Sequence, residues 1–139
     1  MKKARDLMTA GATCVNENET LVDAARKMRD LDVGALPICG EDNRLHGMLT
    51  DRDIVIRCIA EGGDPATATA RQFEQGKPVT IGADDSVDEA LKMMTEHQIR
   101  RLPVIDGHQL VGMLSQADVA REMSGKKTGE TVSKISQPA

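Results

Sequence analysis

Gly47-Met48-Leu49-Thr50-Asp51-Arg52-Asp53 returns, altered, as Gly112-Met113-Leu114-Ser115-Gln116-Ala117-Asp118. Each stretch is the end of an apolar strand running into a helix that starts at a hydroxyl, Thr50 or Ser115. Each places a carboxylate three residues later, so that the hydroxyl and the acid answer backbone N–H groups reciprocally. One such stretch would carry little. Two in matching surroundings make the chain a tandem repeat.

The repeat extends outward from these stretches. Thr20 and Ser86 are 66 residues apart, as are Pro37 and Pro103; Gly47 and Gly112 are 65 apart, as are Asp53 and Asp118. The single deletion falls in a turn, where length changes are tolerated. In copy one, Thr13-Cys14-Val15 is a brief strand, and Thr20-Leu21-Val22-Asp23 opens a helix. Leu21, Ala24, Ala25 and Met28 lie on one face of that helix. The helix ends near Leu31. Ala35 to Cys39 is a strand with Pro37 early in it or on an edge. Gly40 to Asn43 is a turn and Leu45 to Leu49 a second strand. The helix from Thr50 buries Ile54, Val55, Cys58 and Ile59 and stops at Gly62-Gly63-Asp64-Pro65. Copy two repeats the order. Pro78 to Ile81 is its first strand, and the helix from Ser86 carries Val87, Ala90, Leu91 and Met94 on one face. Leu102 to Ile105 and Leu110 to Leu114 are strands around the turn Asp106-Gly107. The last helix, from Ser115, buries Val119, Ala120 and Met123. The expected division is a pair spanning 1–125, with motif one at about 5–63, a linker at 64–70 and motif two at about 71–124. A polar, disordered tail covers 126–139.

One copy is too small to bury both faces of its sheet, so the two are expected to pack in pseudo-twofold symmetry as an α+β, α/β-like fold of two β-α-β-β-α motifs. Hydrophobic residues make up 40% of the 139 and charged residues 29%, which fits a folded protein rather than a disordered one. With one Phe and neither Trp nor Tyr, the core must rest on aliphatics and eight Met, and stacked bases have almost no platform. The net charge of -4 further argues against nucleic acid as the partner. No run approaches a membrane span, and no secretory signal opens the chain, so a cytoplasmic location with no membrane partner is expected.

Leu102-Pro103-Val104-Ile105 followed by Leu110-Val111-Gly112-Met113-Leu114-Ser115 and Asp118, preceded by His97-Gln98-Ile99-Arg100-Arg101, resembles the CBS domain. Two in tandem resemble a CBS pair, or Bateman module, over residues 5 to 124. The resemblance implies a regulatory binding module rather than an enzyme, commonly a disc-shaped homodimer. It implies an adenosine ligand such as AMP, ATP or S-adenosylmethionine, with no cofactor required. By that resemblance Asp53 and Asp118 accept from ribose hydroxyls, Thr50 and Ser115 contact phosphate, and Arg101, with Arg100 beside it, meets phosphate. Val15, Val33, Ile81 and Ile99 sandwich adenine. Copy one departs from this pattern. Ala35 stands where copy two has Arg101, and Asp51 adds negative charge where Gln116 is neutral. The cleft with Ser115, Asp118 and Arg101 is therefore favoured over the one with Thr50 and Asp53. With no fused effector expected, the output goes to an unknown protein partner, in a stress response by the same resemblance, or is absent. A structural or interaction dimer that binds no nucleotide is the alternative, with a metal or a disulfide. Catalysis is not expected: no triad context exists, and Asp51 and Asp53 are helix-start residues.

Capping alone also explains the hydroxyl–acid pairs, since Thr20 and Ser86 use the same device without any ligand role. Arg100 and Arg101 read equally as a solvated pair or as partners of Glu96 and Asp106. Cys14 and Cys39 are either a disulfide, if their strands are neighbours, or two buried thiols; Cys58 lies on an apolar helix face and is core. His46, His97 and His108 form no local metal motif. A zinc site at His97 and Glu122, shared across a dimer, is the metal arrangement these residues offer as an alternative. His46 and His108 lie beside turns and are expected at the surface. The Met93-Met94 helix, with Met113 and Met123, is core filling rather than a soft-metal box.

Overall fold

The computed structural model describes residues 2–74 and 78–122. Met123 and the 126–139 tail lie outside them. The elements are α1 (Ala4–Leu7), β1 (Thr9–Ala10), β2 (Val15–Asn16), α2 (Leu21–Leu31), β3 (Ala35–Cys39) and β4 (Leu45–Thr50). A π-helix (Asp53–Ile59) and a 3-10 helix (Ala70–Phe73) follow, then β5 (Ile81–Gly82), α3 (Val87–His97), β6 (Arg101–Asp106), β7 (Gln109–Ser115) and α4 (Gln116–Ala120). Each copy thus has the order strand, helix, strand, strand, helix, an α+β arrangement.

The compact units are not the sequence copies. One is Thr13–Pro78; the other joins Met1–Ala12 to Val79–Ala139. Residues 5–12, which the sequence division gives to motif one, lie with copy two. The cause is backbone pairing: the Ala4 and Arg5 N–H groups donate to Asp85 and Ala83 carbonyls, and Val87 N–H donates to Lys2. The linker does the same for copy one. Ala70 and Arg71 N–H donate to Glu19 and Glu17 carbonyls, and Leu21 N–H donates to Ala68. Each copy's first strand and helix cap are closed by the segment preceding the other copy's position in sequence.

In the Thr13–Pro78 unit the sheet order is β2-β3-β4, with β2 parallel and β4 antiparallel to β3. In the other unit it is β1-β7-β6-β5, with β5 parallel to β6. Pro37 and Pro103 fall inside central strands, not on edges. Parallel pairing begins only at Ile38 and Val104, so the missing proline N–H breaks no bond there. Thr20 and Ser86 cap α2 and α3, accepting from Asp23 and Glu89 N–H. Both helices end on a left-handed residue, Asp32 and Gln98, rather than on glycine.

Each unit has its own aliphatic core. Leu21, Ile38 and Leu49 are fully enclosed in one, and Met94, Leu102 and Leu114 in the other, with Cys58 buried and Phe73 from the 3-10 helix joining the first. Met94 fills core as expected. Four burial expectations fail. Ala25 and Ala120 are exposed. After Thr50 the chain winds as a π-helix, with Ala60 N–H donating to Val55 and Gly63 N–H to Cys58. The wider turn breaks the 3.6-residue phase. Ile54 and Cys58 stay buried while Val55 and Ile59 are each 53% exposed.

Candidate functional site

The β6–β7 register sets Arg101 directly across from Ser115. Ser115 N–H donates to Asp118 Oδ2 at 2.9 Å, and Asp118 N–H donates to Ser115 Oγ at 3.1 Å. Asp118 Oδ1 accepts from Arg121 Nη2 at 2.8 Å, and Gln116 N–H donates to the Arg100 carbonyl. Arg100 and Arg101 are exposed, and Gln116 Oε1 is buried with no hydrogen-bond partner. Asp106 is taken by Arg5 Nη2 at 3.2 Å. The structure therefore brings Ser115, Asp118 and Arg101 together on consecutive elements. Both oxygens of Asp118 are already engaged in the free protein.

Copy one builds the same frame with different charge. Ala35 lies across from Thr50. Thr50 N–H and Asp53 N–H exchange the same pair of bonds, each at 3.0 Å. Asp51 N–H donates to the Gly34 carbonyl, matching Gln116 and Arg100. The Asp51 carboxylate sits so close to Gly34 that a Cβ there would lie 3.1 Å from Oδ2. Arg57 reaches Asp53 Oδ1 at 3.7 Å and stacks 5.0 Å from the Phe73 ring.

The four apolar residues divide. Val33 and Ile99 are partly buried at the entries to β3 and β6, each with its N–H donating to the preceding helix. Val15 is 0% exposed and Ile81 3%, so in this structure both serve core packing rather than presenting a face to a ligand. His97 and Glu122 are exposed, and Glu122 pairs with Lys2 at 3.4 Å. No cluster of three metal-ligand side chains includes either among the described residues. Cys14 and Cys39 are joined by a disulfide, with Cα atoms 5.7 Å apart across the β2–β3 pair; Cys58 is the free thiol.

A cluster that sequence reading missed lies at the β2 end of the Thr13–Pro78 unit. His46, expected at the surface, is half-buried, with Nδ1 3.5 Å from Glu17 Oε2 and 3.8 Å from Glu74 Oε1. Glu17 follows β2, His46 sits beside the β3–β4 bulge, and Glu74 ends the 3-10 helix. Arg71 Nη2 donates to the other Glu17 oxygen at 2.8 Å. Burial, then hydrogen bonding and repulsion from Glu17, hold the Glu74 carboxyl above the ordinary carboxylate range, opposed by His46 and Arg71. A cavity of about 410 Å³ opens alongside, lined by Glu17, Gly40, His46 and Arg71 among others. The three side chains come from residues 17, 46 and 74, so no local spacing could announce the cluster.

Among the described residues no helix is long and apolar enough to cross a membrane. The chain is 52% identical over 138 residues to Hypoxic response protein 1 of Mycobacterium tuberculosis, covering 99% of this chain and 96% of that protein. A crystal structure of Hypoxic Response Protein I with two coordinated zinc ions matches with a TM-score of 0.83 at 55% identity, over 88% of this chain and 100% of that one. The structure of CBSX2 in complex with AMP shares the fold, with a TM-score of 0.76 at 21% identity over 87% and 95% of the two chains. The family model of the CBS domain matches residues 4–59 and 70–125. The chain belongs to the CBS-domain family and carries two copies of that domain.

Proposed function

We propose that this CBS-domain pair is a non-catalytic regulatory protein that binds an adenine nucleotide and passes the change to a partner chain. The observation that carries the reading is the register that sets the exposed Arg101 beside Ser115 and Asp118. A cation, a hydroxyl and a carboxylate stand together there, the groups that a phosphate and a ribose diol require. Asp118 accepts a ribose hydroxyl once Arg121 lets go. Arg121 is 73% exposed at its side chain, so that surface pair yields at little cost. Copy one is the poorer phosphate site because Ala35 brings no cation and Asp51 brings a like charge. AMP is the ligand of CBSX2, which shares this fold, and the name of the mycobacterial relative supports a role under stress. The working form in this reading is a cytoplasmic homodimer. Signalling requires that the ligand bind two conformations unequally.

Calorimetric titration of the full chain with AMP, ATP and S-adenosylmethionine tests it. One of them is expected to bind and to raise the melting temperature, and Arg101→Ala to weaken it by about tenfold, the worth of one charge-assisted contact. Thr50→Ala should leave the affinity within about twofold, since the poorer copy is not the phosphate site. No heat and no thermal shift with any of the three sinks the reading.

A second reading is favoured by one observation, the Cys14–Cys39 disulfide. It makes the chain an interaction protein whose first copy is stapled for durability and which binds no nucleotide. Loss of partner capture from a lysate on reduction, with no response to nucleotide, selects it.

A further inference from the structure

We propose that Glu17, His46 and Glu74 form a binding site for a divalent first-row transition metal ion. The donor set is one imidazole nitrogen and two carboxylate oxygens, all within 4.8 Å of one another. In a tetrahedral zinc site with bonds of about 2.05 Å, neighbouring donors lie about 3.3 Å apart. The pairs centred on His46 Nδ1 stand at 3.5 and 3.8 Å, so side-chain adjustment of a few tenths of an ångström brings them to bonding distance. Glu74 Oε1 is buried and accepts no hydrogen bond, and it points at His46. Arg71 occupies only one oxygen of Glu17 and leaves Oε2 to face the imidazole.

The second unit shows that the fold does not require these groups. At the spacing of the repeat, Glu17, His46 and Glu74 correspond to Ala83, Val111 and Met8. Those three fill the same place with apolar packing against a closed core. Two carboxylates face one imidazole where the twin holds only apolar side chains, so packing alone does not call for them. A cation offsets the repulsion between the two acids.

Ligation through Nδ1 leaves the proton on Nε2, the nitrogen that faces Gly40. A Cβ at Gly40 would lie 2.8 Å from Nε2, so glycine admits the ring in this pose. Gly40 acts as a positioning residue. Glu17 is held in place as its own N–H donates to the Cys39 carbonyl. With imidazole and carboxylate donors, zinc, cobalt or iron(II) is preferred over magnesium or calcium, which favour all-oxygen shells. The adjoining cavity leaves room for water in the remaining positions, which makes the site open rather than closed.

The test is titration of the full, chelator-stripped chain with Zn²⁺, Co²⁺ and Mg²⁺, followed by calorimetry, the visible spectrum of bound Co²⁺ and the melting temperature. Glu74→Gln and His46→Gln are expected to weaken Zn²⁺ by at least about tenfold, and Gly40→Ala to weaken it less. Glu74→Gln keeps the side-chain shape, so it also reports if His46→Gln unfolds. His97→Gln should leave the affinity within about twofold. A proton NMR shift of His46 on Zn²⁺ addition is the independent readout. Unchanged Zn²⁺ affinity in Glu74→Gln, loss only in His97→Gln, Mg²⁺ binding as tightly as Zn²⁺, or no binding to the wild type would each overturn the site.

Discussion

The two copies repeat a backbone and diverge in what they place on it. Arg5 and Arg71 donate to equivalent carbonyls, Ala83 and Glu17, and the caps at Ser115 and Thr50 exchange the same two hydrogen bonds. On this common frame copy two puts Arg101 where copy one has Ala35, and copy one puts Glu17, His46 and Glu74 where copy two has Ala83, Val111 and Met8. The frame is fixed by burial and backbone pairing. What differs is a handful of side chains that the frame tolerates in either form, so two copies of one motif present different polar groups.

The largest effects probe what the copies share. Leu36 and Leu102 are equivalent and almost wholly enclosed, so Leu36→Ala and Leu102→Ala should each cost about 3 kcal/mol in denaturant unfolding. A difference of more than about 1 kcal/mol between them would break the equivalence of the two cores. Next comes a feature of copy one alone. The disulfide closes a separation of 25 residues, so its reduction should cost about 3 kcal/mol by the chain-entropy account. Hydrogen exchange should rise in β2 and β3 and not in β5 and β6, whose equivalents of the two cysteines are Thr80 and Ile105.

Smaller effects sharpen the caps. Thr50→Ala and Ser115→Ala should each lower stability by about 1 kcal/mol, since each removes an acceptor for a helix N–H. The smallest concerns the acidic pair. Glu74 holds its proton more tightly folded than unfolded, because burial and then Glu17 raise its carboxyl above 4.5. A raised carboxyl pKa favours the folded state below the unfolded value, and that advantage is lost as pH rises through the folded value. Glu74→Gln should therefore raise the melting temperature of metal-free protein at neutral pH. The gain should vanish as pH falls below about 4.5, a window set by the ordinary carboxyl value. The Met8 copy offers no such term.

Much of the fold was legible because its signals are local. The helix caps at Thr20 and Ser86, the apolar faces of α2 and α3, and the strand pairs around Asn43 and Gly107 all follow from residues within one turn or one hairpin. So did the Ser115–Asp118 pair. The first-copy helix was misread because its apolar spacing fits an α-turn, whereas the chain adopts the wider π-turn that leaves Val55 and Ile59 outside. The family resemblance places Val15 and Ile81 against adenine, whereas each lies on a short strand enclosed by its own core.

The sequence by itself determined that there are two copies and how each copy orders its elements; the β6–β7 register set Arg101 across from the Ser115 cap. Periodicity and caps act over a few residues and need no partner, and the repeat is read by comparing the chain with itself. Tertiary structure alone decided that residues 2–12 close copy two while the linker closes copy one. It alone brought Glu17, His46 and Glu74 to one point. Backbone groups left open at the edge of each small sheet are satisfied by whichever segment the fold carries to them, and that choice, made across more than fifty residues of chain, also carries Glu74 to His46.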